Sequence, residues 1–291
     1  MSWQMKAVAL YLRLTRKRVY ATADGGAVRL SAPKDSPVPP PSLHRRCSVM
    51  RRSVEGFDVY VVRRTLGDAR SAGTVVYLHG GAFAGEIQKQ HWAFIGELAD
   101  HVGLDVQVPI YGLAPKHHAP EALRLITALL EESSSTGPAY LIGDSAGGGL
   151  ALSVTQSWLA DGHPPPRGVT VIAPWLDLAL RNPAIADVEP VDPWLSRPGL
   201  AVCADAWADG ISMDDPRVSP LFGDFTDFPP IDLYVGDRDI TVADCRALRT
   251  KVPAIHYHEE PGAVHVYPLL PTPEGRAART AVFEHISSRM R

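Results

Sequence analysis

The chain reads as an α/β fold built on a mostly parallel central sheet flanked by helices, and three observations carry that reading. Short apolar runs of strand length alternate with stretches of helical periodicity from about residue 57 to the C-terminus, the pattern of a parallel sheet covered by helices. The run Thr74-Val75-Val76-Tyr77-Leu78 is apolar without alternation, as in a strand buried on both faces. Loops rich in glycine and acidic residues follow several of the runs, where open parallel sheets carry their sites.

In chain order, strands are expected at Phe57–Val62, Thr74–Leu78, Asp105–Pro109, Ala139–Ile142, Val169–Ala173, Ile231–Val235 and Ile255–His258. Helices are expected at Gln90–His101, Pro120–Ser133, Gly147–Asp161, Ala243–Thr250 and from about Pro273 onward, with a turn at Gly67–Gly73. The stretch from about Leu178 to Pro220 is rich in Pro, Asp and Trp and shows no strand. The segment from Ser31 to Ser42, with Pro33, Pro37, Pro39, Pro40 and Pro41, connects an N-terminal helix to the body. At 291 residues the chain can bury a sizeable core, and we expect one domain over residues 1–291.

Net charge is −3, from 29 basic and 32 acidic residues, so nothing implies a nucleic-acid partner. The cysteines Cys47, Cys203 and Cys245 are odd in number and lack CxxC spacing, which argues against a disulfide framework or a zinc site and for reduced thiols in a cytoplasmic protein. Ala7 to Leu12 after Lys6 resembles a short signal core, but Arg13 interrupts it and Arg16-Lys17-Arg18 follow without a cleavage pattern. No run reaches the ~20 apolar residues of a membrane span. The expected element is a basic amphipathic helix that packs on the body; a helix lying on a membrane surface has the same pattern. A homodimer is allowed.

Gly143-Asp144-Ser145-Ala146-Gly147 follows an apolar strand and opens a helical pattern, the setting of a nucleophile elbow. Such a turn strains the serine backbone and leaves no room for side chains two residues away on either side, hence the two glycines. The helix from about Ala146 aims N–H groups at the same point. His79-Gly80-Gly81-Ala82-Phe83 follows another strand; the N–H groups of Gly80 and Gly81, with that of Ala146, would form an oxyanion hole. After Ile231–Val235 comes Gly236-Asp237-Arg238-Asp239, and after Ile255–His258 comes Pro261-Gly262-Ala263-Val264-His265. The order Ser, Asp, His suits a triad with Ser145 as nucleophile and His265 as base. Position leaves Asp237 and Asp239 equal as the acid, with Asp244 behind. Asp144 is expected to support the turn. His256 and His258 share a strand face but lack an evident third metal ligand, as do His117 and His118; His91 and His101 read as helix-surface residues. Trp175, Trp194 and Trp207 suit either an apolar acyl pocket or packing.

Taken in order, HGGAF (79–83), Tyr111-Gly112-Leu113-Ala114-Pro115, GDSAGG (143–148), the Asp loop and Gly262-Ala263-Val264-His265 with Tyr267 resemble the hormone-sensitive lipase family of α/β hydrolases, over most of the chain. The resemblance implies an α/β-hydrolase fold with a helical cap, built from about residues 1–42 and 178–216. Asp215 to Pro220 would be the return from that cap. It implies a carboxylesterase acting on short- to medium-chain acyl esters without a cofactor or metal, and it implies Asp239 as the acid. Relatives that only bind ligand, as well as acyl transferases and amide hydrolases, share the scaffold; the ligand binders lose the His that stands here at 265. The chain departs from the family at Ala82, where a third glycine is usual, and at Gly112 and Lys116, where Arg and Glu are usual.

Overall fold

The computed structural model describes residues 1–65 and 73–291; the turn expected at Gly67–Gly73 lies outside them but for Gly73. The elements are α1 (Trp3–Thr15), α2 (Lys17–Tyr20), α3 (Ala23–Ser31), α4 (Pro41–His44), β1 (Cys47–Val54), β2 (Phe57–Arg64), β3 (Thr74–Leu78), α5 (Lys89–Val102), β4 (Asp105–Pro109) and α6 (Ala119–Thr136). They continue with β5 (Ala139–Asp144), α7 (Ala146–Ala160), β6 (Val169–Ile172), α8 (Ile185–Val188), α9 (Arg197–Ala208), β7 (Ile231–Gly236), α10 (Val242–Lys251), β8 (His256–Glu260) and α11 (Pro273–Arg289).

The strands form one sheet in the order β1-β2-β4-β3-β5-β6-β7-β8. β1, β2 and β4 pair antiparallel, and every later neighbour pairs parallel. Every residue of β3, β5, β6 and β7 is buried, as unbroken apolar strands covered on both faces must be. This is the α/β-hydrolase fold. The chain reverses between β5 and β3 in the sheet order, so the loops at their C-terminal ends open a crevice there.

β1 was not expected. Its sequence, CSVMRRSV, carries Arg51 and Arg52 and lacks strand alternation, yet it pairs with β2 along its whole length. The tight turn between them explains why: Glu55 and Gly56 adopt φ +49° and +80°, the left-handed pair that matches the twist of a hairpin. Glu55-Gly56 beside Phe57 was the available signal. The stretch after Leu178 indeed holds no strand, but it forms α8 and α9.

The N-terminal helices lie against α9 at very close range. A Cβ on Gly26 would fall 2.4 Å from the Gly199 carbonyl oxygen, and one on Gly199 2.5 Å from the Tyr20 Cα, so glycine is required at both. Lys17 Nζ donates to the carbonyls of Glu189 (3.1 Å) and Leu195 (2.5 Å). Lys34 Nζ reaches the carbonyl of Ala84 at 2.9 Å, which ties the same segment to the loop after β3. Among the described residues no helix is long and apolar enough to cross a membrane. The three cysteines are free and buried.

Candidate active site

Ser145 sits between the last residue of β5 and the first of α7, at φ +51° and ψ −119°. A non-glycine residue there stores about 1–3 kcal/mol, and the surroundings hold it in place. Its N–H donates to the Ile172 carbonyl at 2.8 Å, and its carbonyl accepts the N–H of Trp175 at 3.0 Å. The flanking glycines are steric necessities. A Cβ on Gly143 would meet the Gly147 carbonyl oxygen at 2.3 Å, and one on Gly147 the Leu78 carbonyl oxygen at 2.1 Å.

The Ser145 hydroxyl lies 2.9 Å from His265 Nε2, and His265 Nδ1 lies 2.7 Å from Asp239 Oδ2. Asp239 is wholly buried and its other oxygen accepts the Thr241 N–H at 3.0 Å. With Nδ1–H donated to the carboxylate, Nε2 is free to accept the serine proton. Burial alone would push the His265 pKa down. The charge and hydrogen bond of Asp239, with the charges of Asp192 and Asp144, outweigh that and hold it above the ordinary value.

The N–H groups of Gly80, Gly81 and Ala146 have no acceptor among the described residues. For Ala146 this is the ordinary state of a first helical residue. Beside Gly81, His79 Nδ1–H donates to the Gly80 carbonyl at 2.7 Å. That bond fixes the Gly80 carbonyl, and with it the orientation of the Gly81 N–H on the far side of the same peptide plane. His79 is itself held by stacking on Tyr111, at 4.5 Å between centroids, and by the Tyr111 hydroxyl donating to its carbonyl. Burial drives its pKa down to about 4, so it stays neutral and donates from Nδ1. Four non-glycine residues besides Ser145 take positive φ in these loops: Ala82 (+54°), Phe83 (+56°), Ala173 (+48°) and Val266 (+50°). Replacing the family's third glycine thus has a cost in conformation rather than in space. Ala82→Gly should raise stability by about 0.5–1 kcal/mol, strain relief exceeding the added chain entropy; a thermal melt that moves down would contradict this.

Behind the serine lies a buried network. Asp144 accepts the Tyr77 hydroxyl on one oxygen at 2.6 Å and His91 Nε2 on the other at 3.2 Å. The Gln88 N–H occupies His91 Nδ1 at 2.8 Å, which leaves Nε2–H to face the carboxylate. Burial pushes the Asp144 pKa up, but the hydrogen bonds from His91 and Tyr77 prevail and hold it below the usual range. Gly80 is required here too, since its Cβ would fall 2.3 Å from Asp144 Oδ2. His91 is therefore not the helix-surface residue its position in α5 suggested. It turns inward at the start of α5 because it closes a capping box with Gln88; the Gln-x-x-His spacing was the signal. A second carboxyl that sequence reading did not single out is Asp192. It accepts the N–H groups of Trp194, Leu195 and Ile240 at 2.7, 2.9 and 2.9 Å. Burial and the nearby charge of Asp239 raise its pKa to about 6.

Other residues weighed in the sequence lie elsewhere. Asp237 accepts the Gly262 N–H at 2.7 Å and so shapes the His265 loop without reaching His265. Asp244 is bound by Asn182 Nδ2 at 3.0 Å. His117 pairs with Glu121 at 3.1 Å while His118 Nδ1 faces the Ala206 carbonyl at 2.9 Å. The His117 ring fills the space a side chain at Gly112 would need. His256 gains the neighbours its spacing did not show: Asp232, His256 and His285 bring one donor atom each within 4.8 Å of one another. Arg289 Nη2 already sits 3.0 Å from the same Asp232 oxygen and supplies the positive charge that buried carboxylate needs. Trp175 and Trp207 are buried and flank Phe83, Trp207 stacking on it at 4.2 Å. Trp194 differs: it is half-buried and meets His265 edge-on at 5.5 Å.

Residues 75–269 match the alpha/beta hydrolase fold family. A Mycobacterium tuberculosis relative carrying an acetyl-hydrolase name is 32% identical over 210 residues, 69% of this chain, which spans 65% of that protein's length. A Streptomyces hygroscopicus acetyl-hydrolase is 32% identical over 217 residues, 70% of this chain and 72% of the relative. A solved esterase of the bacterial hormone-sensitive lipase family superposes at TM-score 0.83 with 23% identity, covering 100% of this chain and 99% of that one, a likeness in fold. The chain thus belongs to the α/β-hydrolase family, among the esterases and lipases related to hormone-sensitive lipase.

Proposed function

We propose that this chain hydrolyses carboxylic esters through an acyl-enzyme on Ser145, and the observation that carries the reading is the unbroken hydrogen-bond relay Ser145–His265–Asp239 at 2.9 and 2.7 Å. His265 Nε2 takes the hydroxyl proton as Ser145 Oγ bonds to the ester carbonyl carbon. The carbonyl electron pair moves onto oxygen, which the N–H groups of Gly80, Gly81 and Ala146 receive. One such donor is typically worth about 3 kcal/mol in the transition state. His265 then protonates the departing alkoxide as the carbon–oxygen bond breaks, and repeats the cycle with water to free the acid. Asp239 keeps the proton on Nδ1 and stabilises the imidazolium. No metal or cofactor enters any step.

Residues 1–42 and 178–216 act as a cap in this reading, within a single domain. Support comes from the contacts of Lys34 with Ala84, Trp207 with Phe83 and Trp194 with His265, each joining one of these segments to a catalytic loop. Phe83 packs against the buried Trp175 and Trp207 rings, and in this reading the acyl site beside them takes short to medium chains. Three free, buried thiols suit a reducing cytoplasm.

A panel of p-nitrophenyl esters from acetate to palmitate, with a matched anilide, tests the proposal. Hydrolysis should peak at short or medium chains and leave the anilide nearly untouched; a folded chain that turns over no ester overturns it. The pH dependence follows from His265. Protonation of Nε2 removes the acceptor, so kcat/KM should fall as pH falls, with a midpoint above the ordinary value of about 6.5 because the neighbouring carboxylates raise this imidazole. A midpoint below that value would contradict the assigned base.

A further inference from the structure

α1 presents two apolar faces, and the body of the protein uses one. Met5, Ala9 and Leu12 are buried against the chain. On the opposite side Trp3, Ala7, Leu10 and Leu14, at spacings of four, three and four, form a second stripe, with Tyr11 beside it. Trp3 is 74% exposed, Leu14 70%, Leu10 59% and Tyr11 56%. So large an aromatic and aliphatic stripe in water marks a binding face.

The charge around the stripe selects its occupant. Residues 1–23 contain Lys6, Arg13, Arg16, Lys17 and Arg18 and no acidic residue, in a chain whose net charge is −3. Lys6 and Arg13, seven residues apart, border one side of the stripe. Among the described residues Lys6, Arg13, Arg16 and Arg18 join no ion pair and are exposed. Only Lys17 is spent, on the carbonyls of Glu189 and Leu195. A second copy of this face would bring like charges together, whereas an anionic lipid surface offers apolar depth below and negative headgroups around it.

We propose that α1 docks this chain on anionic lipid surfaces, with Trp3, Leu10, Tyr11 and Leu14 entering the headgroup region and Lys6, Arg13, Arg16 and Arg18 meeting phosphate. The start of α1 lies near the Asp239 and His265 loops. Met1, two residues before Trp3, touches Arg238, next to Asp239, and a Cβ on Gly262 would meet the Met1 side chain at 2.8 Å. Docking would therefore bring the opening of the site close to esters dissolved in the lipid; that consequence rests on the function proposed above, while the binding itself does not.

The experiment is co-sedimentation of the full chain with phosphatidylcholine vesicles, with and without phosphatidylglycerol, at rising salt. The chain should sediment with the anionic vesicles and be released by salt. Lys6→Gln with Arg13→Gln should weaken partitioning on the order of 30-fold, and Trp3→Ser with Leu14→Ser at least about tenfold. Both variants should hydrolyse a water-soluble ester like the parent, which shows that they fold. The Ser145→Ala chain should sediment unchanged, which separates docking from catalysis. Failure to bind anionic vesicles, equal binding to both vesicle types, or binding indifferent to the α1 substitutions overturns the proposal. So does a dimer in solution that Trp3→Ser with Leu14→Ser dissociates, because a second copy would then cover the face.

Discussion

Ser145→Ala should lower ester hydrolysis by a factor on the order of 10⁴ to 10⁶ while leaving the fold intact. The chemistry needs an oxygen that can bond to the carbonyl carbon, and none of the surrounding groups can replace it. His79 is buried behind the Gly80 peptide, and the Tyr77 hydroxyl is committed to Asp144. On the mechanism we propose, what survives in the variant is transition-state binding by the N–H groups of Gly80, Gly81 and Ala146. The structural cost is small. Alanine keeps the Cβ and accepts the same backbone strain as serine at φ +51°, and the only bond lost is the one to His265, worth about 1 kcal/mol. The check is kcat/KM on the best p-nitrophenyl ester beside a thermal melt. Activity within tenfold of the parent, with an unchanged melt, would remove Ser145 from the nucleophile's position.

The central sheet was legible because β3, β5, β6 and β7 must be apolar throughout to lie between two helical layers, and unbroken runs such as Val75 to Leu78 announce this. The Ser145 turn was legible for a related reason: Gly143 and Gly147 answer to backbone atoms only 2.3 and 2.1 Å from a would-be Cβ, so no other residue fits. Edge strand β1 was hidden because an edge faces water and tolerates Arg51 and Arg52; its pairing with β2 is set by Glu55-Gly56 rather than by pattern. His91 and Asp192 were hidden for another reason. Each acts through a partner distant in sequence, His91 on Asp144 and Asp192 on the Asp239 loop; the Gln88-x-x-His91 spacing marks a helix cap, but no local pattern carries information on these distant partners. The ambiguity between Asp237 and Asp239 has the same origin. Both carboxylates follow one strand, and only the path of the loop brings Asp239 to His265 while Asp237 turns to the Gly262 N–H.

That ambiguity leads to the second large effect. Asp239→Asn should reduce kcat/KM on the order of 10⁴-fold, with little change in packing volume. The carboxylate accepts at both oxygens, from His265 Nδ1–H and from the Thr241 N–H. An amide keeps one acceptor, and with its oxygen on Thr241 it turns NH₂ toward His265. Nδ1 must then become the acceptor, the proton moves to Nε2, and the imidazole faces Ser145 with a donor in place of its base. Loss of the negative charge also lowers the His265 pKa, since the raised value depends on that charge and hydrogen bond. The acid limb of the residual activity should accordingly shift to lower pH than in the parent. Asp237→Asn is the matched control. It disturbs one hydrogen bond to the Gly262 N–H, worth about 1 kcal/mol, and should leave kcat/KM within about tenfold of the parent, because His265 keeps its tautomer. The two positions lie two residues apart and the variants carry the same net charge, so a reversed outcome, Asp237→Asn inactive and Asp239→Asn active, would move the acid to Asp237.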